Sequence, residues 1–442
     1  MASAMTYRMS LRSKQCPVSA VLPPISVQKI SREAAAWSLN YCSATVPRFL
    51  HTADWQIGKP YHWIEDSQKR ARLQQERVNA VSRIASAAEE LNLDAVMVAG
   101  DLFDSSTVAP TIVMEVMEAI ASIPCPVIVI PGNHDHGGAG GIWQRRDVKR
   151  QMQERCPNLK LLLQADPQVI GGMVLLPCPL LRQRDSRSPA DWLEALDWSS
   201  LPHDQPRVVL AHGSVQGFGT EDHVNQLHPT RWPNDQVDYI ALGDWHALTQ
   251  LSPHAWYSGT PEPDRFPTSH KDQRSQALLV EVERQHPPEV TPITTGLMQW
   301  HTIAAKVSSQ TDLQRLKQEI ESLVERRVGR DLLRLELSGQ LSFVDYKNLL
   351  EQVQVLDQQL LHLRIRGMPQ HRPEPGEFEA FLQRDDAPLI QGITRQLADE
   401  LKHNNGSISD QTNLERSMLE QAMVELHRIV LEEATDQEAS CG

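Results

Sequence analysis

From residue 47 to about 282 the chain alternates short apolar runs with longer amphipathic stretches. The first core strand begins at 48–50, and the runs at 95–99, 127–130, 208–210, 239–242 and 277–280 read as short apolar strands. Between the first two, residues 68–91 place Leu73, Val81, Ile84, Ala88 and Leu91 at near-helical spacing, and Asn92 offers a stop. A second helix is predicted through residues 112–117. Strands alternating with helices in this way predict a layered α/β domain.

A proline-containing link is expected near 286–293, and after it the order becomes strand, helix, strand, helix, strand, over residues 302–307, 313–324, 332–337, 346–356 and 361–365. Leu313, Leu316, Ile320 and Leu323 give its first helix one apolar stripe, so residues 300–368 predict a small α+β cap; no catalytic cluster occurs in it. Past a second link at 369–376 the remainder, to 442, is a helical tail in which Leu414, Met418, Leu419, Ala422, Leu426, Ile429 and Val430 form a stripe. That stripe suits a partner helix and equally suits packing back on the cap.

Residues 1–46 are rich in serine and carry Arg8, Arg12, Lys14, Lys29 and Arg32 against one acid, Glu33. The composition resembles a transit segment but has no apolar core for secretion. Because the first core strand starts at Arg48 and Val46 can correspond to a GUG start codon, the extension is expected to be disordered and dispensable.

A chain of 442 residues accommodates two or three domains, and no apolar stretch approaches bilayer length. The six cysteines lack any Cys-x-x-Cys spacing and predict free thiols in a reducing, cytoplasmic setting. A net charge of −13 argues against nucleic-acid binding by a broadly basic surface. Two local patches remain: Arg145, Arg146, Lys149 and Arg150 in one, and Arg182, Arg184 and Arg187 in the other. Each can neutralise phosphates, although the first serves equally well as a solvated helix face. Trp143 beside it is either a platform for an unpaired base or a packing anchor.

The chemistry lies just after the apolar runs. Asp54-Trp55-Gln56, Gly100-Asp101-Leu102-Phe103-Asp104, Gly132-Asn133-His134-Asp135, Ala211-His212-Gly213 and Gly243-Asp244-Trp245-His246 follow in that order. Cleaving a phosphate ester requires an in-line nucleophile while phosphoryl charge is neutralised, and two divalent ions about 3.5 to 4 Å apart meet both needs. Asp101, at the end of its strand, is the natural bridging ligand; Asn133 supplies an amide oxygen, and His134 is the candidate general acid.

These five motifs resemble those of calcineurin-like metallophosphoesterases, and Leu50-His51-Thr52-Ala53-Asp54-Trp55 with Gly100 to Asp104 resembles the SbcD-type DNA repair exonuclease group. The resemblance implies two sheets packed face to face with helices outside, over residues 47–285. It also implies two ions, one facing Asp54, Gln56, Asp101 and His246, the other facing Asp101, Asn133, His212 and Asp244. DNA as substrate, C-terminal helices docked on an SbcC-like ATPase, and a homodimer follow from the same resemblance.

Gln56 and Asp244 stand where the family usually has histidines. Amide and carboxylate oxygens are harder ligands than imidazole, which favours manganese or magnesium over zinc, with manganese the first choice. The added carboxylate points to an alkaline pH optimum, and the neutral amide to a loosely held ion beside Gln56. Asp244 is alternatively a group that orients His246. His51, His62, His136, His254 and His301 read as ordinary structural histidines, and Asp104 and Asp135 as loop-bonding carboxylates. Arg265 has two uses open to it, a phosphate contact or an ion pair with Asp264 or Glu262. A manganese-dependent DNA nuclease is the leading function; hydrolysis of nucleotides or phosphoproteins, and a non-catalytic binding subunit, are the alternatives.

Overall fold

The computed structural model describes residues 46–217, 224–232, 235–269, 272–324, 327, 329–371, 388–403, 418, 422, 425 and 426. The extension before residue 46 and most of the C-terminal stripe therefore lie outside the described residues.

Among the described residues, two six-stranded sheets carry the first part of the chain. One contains β1 (Arg48–Thr52), β2 (Ala95–Ala99), β3 (Val127–Ile130), β4 (Leu159–Leu161), β13 (Gln276–Glu281) and β14 (Glu289–Thr294), in the order β14-β13-β1-β2-β3-β4. The other contains β5 (Gln168–Ile170), β6 (Met173–Cys178), β7 (Arg207–His212), β10 (Tyr239–Gly243), β11 (Thr249–Ser252) and β12 (Ala255–Tyr257), in the order β11-β12-β10-β7-β6-β5. A minor parallel pair, β8 (Ser214–Val215) and β9 (Gln226–Leu227), follows β7. β1 to β4 run parallel in the first sheet, as do β6, β7, β10 and β12 in the second.

Side-chain alternation sorts the core. Phe49, Met97, Ala99, Ile128 and Ile130 meet Val208, Leu210, Tyr239 and Ala241 between the sheets. The opposite face of the first sheet, with Leu50, Val96 and Val98, is covered by α1 (Ser67–Leu91) and α2 (Pro110–Ala121). Both faces are buried, which is why these strands read as continuous apolar runs. α1 opens where Asp66 accepts the N–H groups of Gln68 and Lys69, and closes at Asn92 with φ +50°, the predicted stop. α3 (Arg146–Arg155) follows the third motif.

The expected link at 286–293 is instead edge strand β14, registered along β13 with Pro292 opposite Leu278. An edge position tolerates a proline because one side of the strand needs no donor. β15 (Gln299–Val307), β16 (Asp331–Leu341) and β17 (His362–Arg366) form a parallel sheet connected through α4 (Gln310–Val324) and α5 (Phe343–Gln359). β18 (Gln370–His371), inside the second expected link, pairs with the end of β16. On α4 the buried stripe is Leu313, Leu316, Ile320 and Val324; Leu323 is exposed, because the position four residues after Ile320 faces the sheet. Tyr61, Ile64, Phe266 and Met298 pack with Trp300, Leu332 and Leu361, seating this unit on the sandwich. α6 (Pro388–His403) comes last, and among the described residues of the tail stripe Met418, Ala422 and Leu426 are helical.

Candidate metal centre and active site

The parallel strands β1, β2, β3, β7 and β10 deliver the five motifs from their carboxyl ends to one place. The backbone bends sharply there: Asp54, Gln56, Asp101 and Asp244 all have positive φ, of +54°, +43°, +53° and +105°. Non-glycine residues rarely hold this conformation unless the surroundings impose it. Here Gly100 carbonyl accepts the Asp54 N–H at 3.1 Å and Asp101 carbonyl the Gln56 N–H at 2.9 Å, tying the first two motifs together. Gly132 cannot carry a side chain, since a Cβ would overlap the Asp101 carboxylate.

Three imidazoles are held in one tautomer, each by the hydrogen bond its Nδ1 donates. His212 donates to the Ala99 carbonyl at 2.8 Å, His246 to Asp264 Oδ2 at 2.8 Å, and His134 to the Asp104 carbonyl at 2.8 Å. Each Nε2 lone pair is thereby aimed inward. His212 Nε2 lies 3.6 Å from Asp101 Oδ1 and 3.9 Å from Asp244 Oδ1. His134 Nε2 lies 4.0 Å from Asp101 Oδ2, and the Asp101 carboxylate accepts the His134 N–H at 2.9 Å. Asp54, Asp101 and His212 present ligand atoms all within 4.8 Å of one another, and all three are buried. Asp244 donates its own N–H to both oxygens of Asp54, each at 3.2 Å.

The donor set fits a cation on the β2, β3 and β7 side. Asn133 Oδ1 sits 2.8 Å from His212 Nε2 and beside the Asp101 carboxylate, so with His212 neutral the oxygen faces only acceptors. Turned over, the amide nitrogen donates to both; turned oxygen-inward, it completes an all-acceptor cage that a positive ion satisfies. The electrostatics agree: burial pushes Asp54 up to about 6 and raises Asp244. Burial alone would lower His212, but Asp101, Asp54 and Asp244 outweigh it and carry the imidazole up to about 9.

Residues 47–248 match the family model described as calcineurin-like phosphoesterase. The chain carries a calcineurin-like phosphoesterase domain. It is similar to the SbcD subunit of the SbcCD nuclease of Escherichia coli (strain K12), 24% identical over 337 residues that take in 64% of this chain and 81% of the relative. The DNA double-strand break repair protein Mre11 of Haloferax volcanii is 27% identical over 237 residues, 52% of this chain and 49% of that protein. The SbcD subunit of the Bacillus subtilis (strain 168) SbcCD nuclease is 34% identical over 95 residues, 20% of this chain and 22% of the relative. Residues 47–248 thus carry a metallophosphoesterase domain, and Asp54, Asp101 and His212 are its candidate divalent-metal group. No helix among the described residues is long and apolar enough to cross a membrane.

Around the phosphoesterase site, Asp135 is structural: its carboxylate accepts N–H groups of Gly132 at 2.7 Å, Leu102 at 3.0 Å, and Asp101 and Phe103 at 3.2 and 3.3 Å. His51 is buried between Tyr239 Oη at 2.9 Å and the Leu242 carbonyl at 3.1 Å. Trp143 is buried edge-on against Phe103 at 5.2 Å and cannot stack on a base. Arg145 spends its guanidinium on the Ser106 and Val108 carbonyls and on Asp147, whereas Arg146 and Arg182 are exposed.

Two supporting residues carry no motif signal. Arg77, buried on α1, donates to the Asp54 and Trp55 carbonyls, Thr260 Oγ1 and the Glu262 carbonyl, joining the first motif to the loop after β12. Asp264, one of the two acids open to Arg265 as an ion-pair partner, instead holds His246 and Arg274, and the other, Glu262, pairs with Arg83. Arg265 lies over the Trp245 ring at 6.0 Å. In the sequence, only the position of Arg77 on an otherwise apolar helix face hints at its role.

Proposed function

We propose that this chain is a manganese-dependent phosphodiesterase that cuts DNA, acting as the nuclease subunit of a repair complex with an SbcC-like ATPase. The observation that supports it most is the all-acceptor cage of Asp101, Asn133, His212 and Asp244 with His134 at its rim. A divalent ion bound there neutralises phosphoryl charge and activates water. Oxygen donors dominate the set, which supports manganese, with magnesium as the other hard choice.

The chain's own groups divide the remaining work. Asn133 and the left-handed turn at Asp101 orient the phosphoryl group toward the carboxyl ends of the strands. His134 is the proton donor to the departing oxygen: its Nδ1 is fixed on the Asp104 carbonyl, and its side chain is 42% exposed, within reach of a substrate. The exposed Arg146 and Arg182 reach phosphates away from the scissile one. With a net charge of −13, such local contacts and the partner supply the affinity for a polyanion. The names of the relatives, nuclease subunit and double-strand break repair protein, favour DNA over nucleotides or phosphoproteins.

We extend the reading to a homodimer in the cytoplasm, in keeping with the free thiols of Cys125, Cys156 and Cys178. The deciding experiment measures hydrolysis of linear and circular DNA, bis-p-nitrophenyl phosphate and mononucleotides with manganese, for the wild type, His134→Ala and Asp101→Asn. DNA cleavage lost in both variants supports the nuclease. Turnover of mononucleotides without DNA cleavage, with the ATPase partner present, overturns it.

A further inference from the structure

The two halves of the metal cage differ in how their polar atoms are satisfied. On the Asn133 side, the amide oxygen lies against His212 Nε2 and the Asp101 carboxylate, a contact that a cation or a turned amide satisfies. On the Gln56 side, a run of donors and acceptors is already complete, and an ion pair closes it into a ring. His246 Nδ1 donates to Asp264 Oδ2 at 2.8 Å, so in the neutral imidazole His246 Nε2 is an acceptor. Gln56 Nε2 lies 3.2 Å from that Nε2 and donates to it. Gln56 Oε1 in turn accepts from Lys59 Nζ at 2.6 Å. Lys59 Nζ lies 3.7 Å from Asp264 Oδ2, which closes the ring, and 3.6 Å from Asp104 Oδ1.

We propose that the Lys59 ammonium supplies the positive charge on the Asp54, Gln56 and His246 side, and that the protein holds one divalent ion, at Asp101, Asn133, His212 and Asp244. The inference rests on the metal-dependent function proposed for this site. The lone pair of His246 that would meet a second ion is occupied by an amide N–H, and the Gln56 oxygen is turned to the ammonium. Two carboxylates, Asp104 and Asp264, pin the lysine, and a dication beside it would face a like charge.

The backbone under Lys59 is fixed as well. Its N–H bonds the Gln56 carbonyl at 3.1 Å, and its carbonyl accepts from Gln74 Nε2 at 3.0 Å. Gly58, with φ +88°, lets this turn press against Val108, where a Cβ would come within 2.7 Å of a methyl carbon.

The test is manganese content after equilibrium dialysis of the full chain against Mn²⁺ alone, with electron paramagnetic resonance to distinguish isolated from spin-coupled ions. The wild type is expected to retain one equivalent with an uncoupled signal, Gln56→His also one, and Gln56→His with Lys59→Met two, spin-coupled. Two coupled equivalents in the wild type, or in Gln56→His alone, overturn the role of Lys59 while leaving the metal-dependent function standing. A double variant that stays at one equivalent, with an unchanged melting curve, overturns it too. No retained manganese in the wild type overturns the metal-dependent function as well.

Discussion

Asp264 Oδ2 accepts a hydrogen bond from His246 Nδ1 at 2.8 Å, and the same carboxylate takes Arg274 at 2.5 Å. Burial opposes its charge, but His246, Arg274 and Lys59 together hold it well below the usual carboxylate range. It therefore sets the tautomer of His246 from outside the motifs. Asp264→Asn should lower kcat/KM by about 10- to 100-fold, the usual range for carboxylates that orient a histidine bordering a metal site. Steady-state kinetics across a manganese titration, with melting curves in parallel, check this.

Arg77 is 1% exposed and bonds carbonyls from two loops that meet only at the site. Arg77→Met removes those donors and leaves buried acceptors unpaired, each worth about 1 to 3 kcal/mol. A loss of roughly 3 kcal/mol or more is expected in urea unfolding. A loss below about 1 kcal/mol would show that water replaces the guanidinium.

His134→Ala should retain the wild-type manganese content yet lose about 10²- to 10⁴-fold in kcat, the span of general acid catalysis. Metal analysis beside single-turnover DNA cleavage separates loss of the proton donor from loss of the ion.

Gly100 and Gly140 have nearly the same positive φ, +85° and +81°, but different surroundings. A Cβ on Gly100 would overlap the His212 ring, whereas one on Gly140 meets nothing within 4 Å. Gly140→Ala should cost only the left-handed backbone penalty, about 1 to 2 kcal/mol. Gly100→Ala should in addition displace His212 and abolish manganese retention. Equal behaviour of the two in dialysis would refute the assignment.

His51 is driven down to about 3 by burial, against an ordinary value of 6.5, with the Leu242 carbonyl only partly offsetting the shift. Its folded pKa lies below its unfolded one, so the unfolded chain binds the extra proton between them. The contribution is whole above about pH 6.5 and is lost as pH falls toward 3. Denaturation midpoints should decline through that window, and the His51 imidazole resonances of the native protein should not titrate down to pH 4.5.

Much of the site was legible because strand exits are local. An apolar run followed by Gly-Asp or Gly-Asn-His marks a strand's carboxyl end, which points to Asp101, Asn133, His134 and Asp244, while Asp54, His212 and His246 came with the resemblance to the family's motifs. The same locality explains the C-terminus of α1 at Asn92. Local reasoning failed where tertiary register chose the partner. Pro292 read as a link because hydropathy carries no record of which side of a strand is bonded, and β14 became visible only through its pairing with β13.

The ring through Asp264, His246, Gln56 and Lys59 is of the same kind. Eighteen residues separate Asp264 from His246, and 190 separate His246 from Gln56. The sequence by itself determined the layered α/β class and the kind of donor each strand end offers, because backbone period and residue chemistry are local. Only the packing of the two sheets decided which donors meet lone pairs and which meet an ammonium, because that depends on atoms brought together across the sandwich.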